Sequence, residues 1–203
     1  MGMRSFAATL LCGVLLGLAP TTQAQTGPSI ETLDWPDSGI CHDCMRLQFD
    51  RLELRLPPAS IRRVLFSGVP ALHLFIDSDD IHDSVTLVVP HPPDIVAFYR
   101  EAGLLNGLEV SSPKALFEVM GKSIPASTNL ERLRKAYGID LADRYLMAEK
   151  EQLTAFLIES AYQTETLIYL IVEGEPGAYL LAGKFDRARI EMLLSHMSVA
   201  APP

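Results

Sequence analysis

Soft metal donors and paired thiols crowd into one short stretch, Cys41-His42-Asp43-Cys44-Met45. In an oxidising compartment, two cysteines of one exported chain ordinarily pair. The first reading of Cys41 and Cys44 is therefore a local disulfide joining a polar arm to the first strand. So small a ring constrains little chain, and loop-closure entropy gives it about 2 kcal/mol at most. A second reading is a soft-metal site. Thiolate and thioether suit Cu(I), and imidazole adds zinc, so Cys41, His42, Cys44 and Met45 form a candidate copper or zinc set. One such cluster is half of a usual structural zinc site, and His73, His82 or His91 would have to complete it. Covalent haem needs His directly after the second Cys, where Met45 stands. No cofactor is expected ahead of these.

Thiol redox chemistry is the third reading of the pair. A thioredoxin-type pair sits at a helix start after a strand, where the helix dipole lowers a thiol pKa. Here an arm precedes the pair and a strand pattern follows it. Val69-Pro70-Ala71, ahead of an apolar run, resembles the proline loop that faces such a site. No strand-helix-strand unit lies between Cys44 and Pro70.

The segment Asp77-Ser78-Asp79-Asp80-Ile81-His82-Asp83 has the look of a calcium loop. Asp77 and Asp79 fit the first and third positions, but Ile81 takes a ligand position and His82 replaces the required glycine. The default is a solvated hairpin tip, with Asp77, Asp79, Asp80 and Asp83 as a candidate partner or cation loop. His73 alternates with Leu72 and Leu74 and reads as a core or partly buried histidine. His91 lies between prolines in a loop, and Arg62-Arg63 is a surface doublet. No nucleophile elbow, phosphate-binding glycine loop or paired zinc-ligand helix is present, so no residue is assigned a catalytic role.

The compartment follows from the first residues. Arg4 is followed by an uncharged apolar run, Phe6–Leu18, then Pro20, then small residues at Thr22 and Ala24. This is the layout of a cleaved secretory signal covering 1–24. The run is shorter than the roughly 20 apolar residues a transmembrane helix needs. Cleavage removes Cys12 and Arg4, which leaves two cysteines and makes a chain of net charge −8 more acidic still. Such a chain is a poor candidate for nucleic acid and favours a basic partner.

Residues 25–45 read as a mobile polar arm holding Trp35, 46–198 as one α+β domain, and 199–203 as a disordered tail. Alternation at Leu47 and Phe49, then at Leu52, Leu54 and Leu56 on the other parity, predicts strand with a bulge or turn at Asp50-Arg51. Ala71–Asp77 and Ser84–Val89 predict a hairpin. Helices are expected after Asp94, after Ser112-Pro113 and at the capping box Thr128–Glu131. A fourth is expected over Glu149–Ser160, and a fifth from Arg187 to Met197 after the cap Asp186. Thr166–Val172, apolar on both faces, predicts a central strand with Ala178–Lys184 returning beside it. The expected fold is α+β: an antiparallel sheet of about five strands, three N-terminal and two C-terminal. Four to five helices cover it in a single-domain sandwich. The functional expectation is an exported, periplasmic or secreted, non-catalytic binding or accessory protein. It acts through another exported protein, in inhibitor fashion. A periplasmic thiol-redox or copper- or zinc-binding protein using Cys41 and Cys44 is the alternative.

Overall fold

A broad β-sheet organises the molecule. The computed structural model describes residues 27–37, 39, 41–67, 70–89, 92–122, 128–161 and 165–201. In chain order the strands are β1 (Ile30–Thr32), β2 (Met45–Phe49), β3 (Leu52–Leu56), β4 (Ile61–Ser67), β5 (Ala71–Ile76), β6 (Val85–Val88), β7 (Arg144–Lys150), β8 (Leu153–Glu159), β9 (Thr166–Val172), β10 (Tyr179–Gly183) and β11 (Met197–Val199). The helices are α1 (Ile95–Glu101), α2 (Pro113–Met120), α3 (Thr128–Ala136) and α4 (Arg187–Ser195). An eight-stranded sheet runs β1-β7-β8-β9-β10-β6-β5-β4, and a three-stranded sheet runs β11-β3-β2. β1 joins β7 in parallel, while the other pairs are antiparallel, so the large sheet is mixed.

This overturns the expected five-stranded sandwich covered by helices, because most of the molecule is sheet. The largest correction is at Glu149–Ser160, which is the turn and second arm of a β7–β8 hairpin and not a helix. Leu153 to Ile158 are all buried. A strand covered on both faces shows no alternation, so its apolar run is indistinguishable by period from a buried helix. No glycine marks the turn either. Glu151 itself takes the left-handed conformation (φ 52°) that a two-residue hairpin loop requires. Ile61–Ser67, of which only the doublet Arg62-Arg63 is read from sequence, as surface, is the edge strand β4. The arm supplies β1, and Trp35 donates its indole N–H to Leu194 O at 3.0 Å. In the expected tail, Val199 belongs to β11, and buried Ala200 donates its N–H to Arg51 O at 2.8 Å.

Local signals that need no tertiary partner hold. Asp94, Ser112 and Asp186 each accept a backbone N–H three residues on, at 2.8, 3.2 and 2.8 Å. These caps satisfy amides that the first helical turn leaves unpaired. The parity switch at Asp50-Arg51 is the β2–β3 turn, with Asp50 at φ 55°. The hairpin of β5 and β6 and the central placement of β9 also follow the pattern.

Two cores flank the large sheet. On one face Leu74, Leu157, Ile168 and Leu181 meet Leu52, Leu54 and Leu56 of the small sheet and Leu193 and Leu194 of α4. On the other, Tyr145, Phe156 and Ile171 meet Leu116 and Phe117 of α2 and Leu130 of α3. Each fully buried aliphatic or aromatic side chain contributes about 1.5–3 kcal/mol. The helical core takes strand residues from β7, β8 and β9 but none from β4, β5 or β6. One face of the sheet is therefore helix-covered over half its width.

Candidate functional site

The pairing of Leu153 with Val172 sets the β7–β8 and β9–β10 turns side by side, and Glu173 N donates to Gln152 O at 2.8 Å. The starts of α1 and α2 approach the same end, with Ile95 N donating to Pro176 O at 3.1 Å. Together they enclose a cavity of about 710 Å³, within the 300–1,000 Å³ range of ligand pockets. Val96, Ile171 and Val172 give it an apolar wall. Asp94, Glu149, Glu151, Glu173 and Glu175 supply carboxylates, against the cations Arg100 and Lys114.

Part of this charge is already committed. Asp94 caps α1. Glu175 accepts from Arg51 at 2.8 Å. Lys114 forms an ion pair with Glu149 and a longer one with Glu118 at 3.7 Å. Thr154, 7 % exposed, donates its hydroxyl to Glu149 at 3.4 Å. The hydrogen bond with Glu149 raises the Lys114 pKa above its ordinary value against the opposing pull of burial, so the ammonium stays charged. Arg100 is spent on Val110 O at 2.9 Å. Glu151 and Glu173, both exposed at the turn tips, carry no ion pair among the described residues. The cleft therefore presents uncompensated negative charge over an apolar wall, which suits a guanidinium or ammonium on an aliphatic stem.

The residues singled out from sequence lie elsewhere. Cys41 and Cys44 are joined as a disulfide, with Cα atoms 5.5 Å apart. His42 and Asp43 are exposed at its tip, and Met45 opens β2 opposite Leu56. Cys41 lines a hollow of about 450 Å³ with Arg55, Lys150 and His196. Among the described residues, no group of three or more His, Cys, Asp or Glu side chains is placed to hold a metal ion. Pro70 precedes β5 in the large sheet, whereas Cys44 precedes β2 in the small one.

The acidic hairpin loop closes on itself. Asp80 accepts the His82 N–H at 2.9 Å, Asp83 accepts the Ser78 hydroxyl at 3.1 Å, and Arg63 donates to Asp79 O at 3.4 Å. Asp77 lies at φ 58° and donates its N–H to Ser60 O at 2.8 Å. His73 is half-buried with Nδ1 3.0 Å from the Thr86 hydroxyl. His91 and Val69 lie outside the described residues.

The cleft carboxylates were not singled out from sequence. Their one legible signal is the acidic character of both turns, Glu149-Lys150-Glu151 and Glu173-Gly174-Glu175. Joining the two required knowing that β8 pairs with β9. No helix among the described residues is long and apolar enough to cross a membrane. Compared with known proteins, the chain matches no family model, no curated protein and no solved structure.

Proposed function

We propose that this chain is an exported, non-catalytic binding or accessory protein that receives a basic segment of a protein partner in its acidic cleft. The observation that carries this reading is the pair of turn-tip carboxylates, Glu151 and Glu173, which form no ion pair among the described residues and stand beside an apolar wall. The signal-like residues 1–24 and the net charge of −8 support it. An acidic surface speeds encounter with a cationic partner and can cover a cationic active-site cleft, which is the inhibitor form of the proposal. The test is capture from a periplasmic extract at low salt, comparing wild type with a Glu151→Lys, Glu173→Lys double variant. A basic protein retained by the first and lost by the second supports the reading. No retained protein, or equal retention by both, refutes it.

A second reading has its own observation, the cations Arg55 and Lys150, with His196, lining the same hollow as Cys41. Positive charge stabilises a thiolate and makes a disulfide easier to reduce. On this reading the pair accepts two electrons and two protons from a partner dithiol. Once reduced, it could instead take copper or zinc. Cys41→Ser and Cys44→Ser would then each abolish function with the fold intact, and full activity in both variants would eliminate it.

A further inference from the structure

β4 ends the eight-stranded sheet. It pairs with β5 on one side, and no described strand pairs with the other. Sheet edges are ordinarily guarded by charge, proline, bulges or a covering segment. β4 has such guards only at its start, where Arg62 and Arg63 are exposed and the register shifts between Ile61 and Arg63. From Val64 to Phe66 it shows none among the described residues. Leu65 is 42 % and Phe66 69 % exposed, and they stand on opposite faces of the strand. The outer backbone row from Val64 to Phe66, which no described strand pairs with, is flanked by apolar side chains and fits an added strand.

We infer that the added strand is β4 of a second copy of this chain, paired antiparallel about a two-fold axis at Leu65. A two-fold contact requires one patch to complement itself, and β4 does so in this register. Leu65 meets Leu65 of the partner subunit, Val64 meets Phe66 of the partner subunit, and Arg63 meets Ser67 of the partner subunit. Apolar side chains oppose apolar ones, and each guanidinium opposes a hydroxyl. Centring the axis on Arg63 would set guanidinium against guanidinium, which destabilises an antiparallel pair. Centring it on Val64 would set Arg62 against Phe66 and Arg63 against Leu65. Packing continuity favours the Leu65 register as well. Val64 and Phe66 lie opposite Leu74 and Leu72, and Val64 already packs against the main core. Seating Phe66 on Val64 of the partner subunit carries that core across the junction.

Charge agrees with this arrangement. The acidic loop 77–83 lies at the Ile61 end of β4, through Asp77 N to Ser60 O and Arg63 to Asp79 O. Antiparallel pairing puts the two copies' loops at opposite ends of the joined strands. The two Arg62 side chains fall roughly 20 Å apart at about 3.4 Å per residue, beyond the screening length of about 8 Å at physiological salt. The interface shares no residue with the acidic cleft, so this inference and the proposed function stand or fall separately.

The test uses the mature chain with its native disulfide. Sedimentation velocity at tens of micromolar should show a dimer, and Leu65→Lys or Phe66→Lys should weaken it at least tenfold with an unchanged circular dichroism spectrum. Leu65→Cys should give a disulfide-linked dimer on a non-reducing gel. Phe66→Cys should not, because in this register the two Phe66 positions are offset diagonally, about 7–8 Å apart. A chain that is monomeric at every concentration overturns the inference, even if a different protein occupies β4. A dimer indifferent to both lysine variants also overturns it, as does equal cross-linking through Cys at positions 65 and 66 or at the exposed Leu141.

Discussion

Reversing the charge of Glu151 and Glu173 tests whether the cleft binds cations by its electrostatics. A guanidinium about 4 Å from a carboxylate gains about 1 kcal/mol in bulk water and about 4 kcal/mol at the effective dielectric of a protein surface. Measured exposed pairs retain about 0.2–1 kcal/mol after solvent screening and ordering. Both glutamates are exposed, so the lower range applies. A lysine at either site removes that attraction and adds comparable repulsion, about 0.4–2 kcal/mol. The double variant should lose about 0.8–4 kcal/mol, or roughly 4- to 700-fold in affinity. The assay is isothermal titration with a short arginine-rich peptide, repeated near 1 M salt, where a screening length of about 3 Å should erase most of the difference. Neutralising acids outside the cleft, Asp43→Asn and Asp79→Asn, should change affinity by less than threefold. The reasoning fails if the double variant binds like wild type. It fails equally if the distant substitutions weaken binding as much, because net charge alone would then account for the attraction.

Other outcomes follow from the packing. Arg134 is 1 % exposed, donates to Asp140 at 2.7 Å and also bonds the Met120 carbonyl. Arg134→Met leaves both acceptors without it, and urea unfolding should register a loss of about 3–5 kcal/mol. Trp35→Phe keeps most of the buried surface but removes the N–H that meets Leu194 O, so stability by circular dichroism should fall by about 1 kcal/mol. Burial raises the pKa of Tyr137, Tyr145, Tyr169 (to about 12) and Tyr179 above the ordinary 10. Their unfolded counterparts ionise first as pH rises, so this stability is fully present below pH 10 and is lost from there toward pH 12 and above. Melting temperature followed from pH 8 to 12 should be flat and then fall. The tyrosinate absorbance of these four should appear in step with unfolding, and full ionisation of a still-folded chain would refute the assignment.

What was legible in the chain was local. Asp94, Ser112 and Asp186 act on amides three residues away, so their caps read directly from sequence. Leu52, Leu54 and Leu56 alternate because one face of the small sheet packs on the core. What was not legible depended on partners distant in sequence. Leu153–Ile158 lost its strand signature through burial on both faces. Ile30-Glu31-Thr32 is a strand only because β7 offers an edge. Met197 continued the apolar face of a predicted helix, yet it pairs with Leu54 in β11. The cleft was hidden for the same reason, since neither acidic turn shows in sequence that it lies beside the other.

The closure between the arm and α4 bears on how such a chain could cross a membrane. Trp35 and its acceptor Leu194 are 159 positions apart, and the small sheet joins β2 and β3 to a strand at 197–199. Contacts of such separation form slowly, because loop closure precedes their reward. A chain threaded from its N-terminus through a secretory channel would emerge with its arm and first hairpin lacking α4 and β11. Final locking would wait until nearly the whole polypeptide had passed. A truncation ending before Arg187 should then stay protease-sensitive, while the full chain becomes resistant only after release.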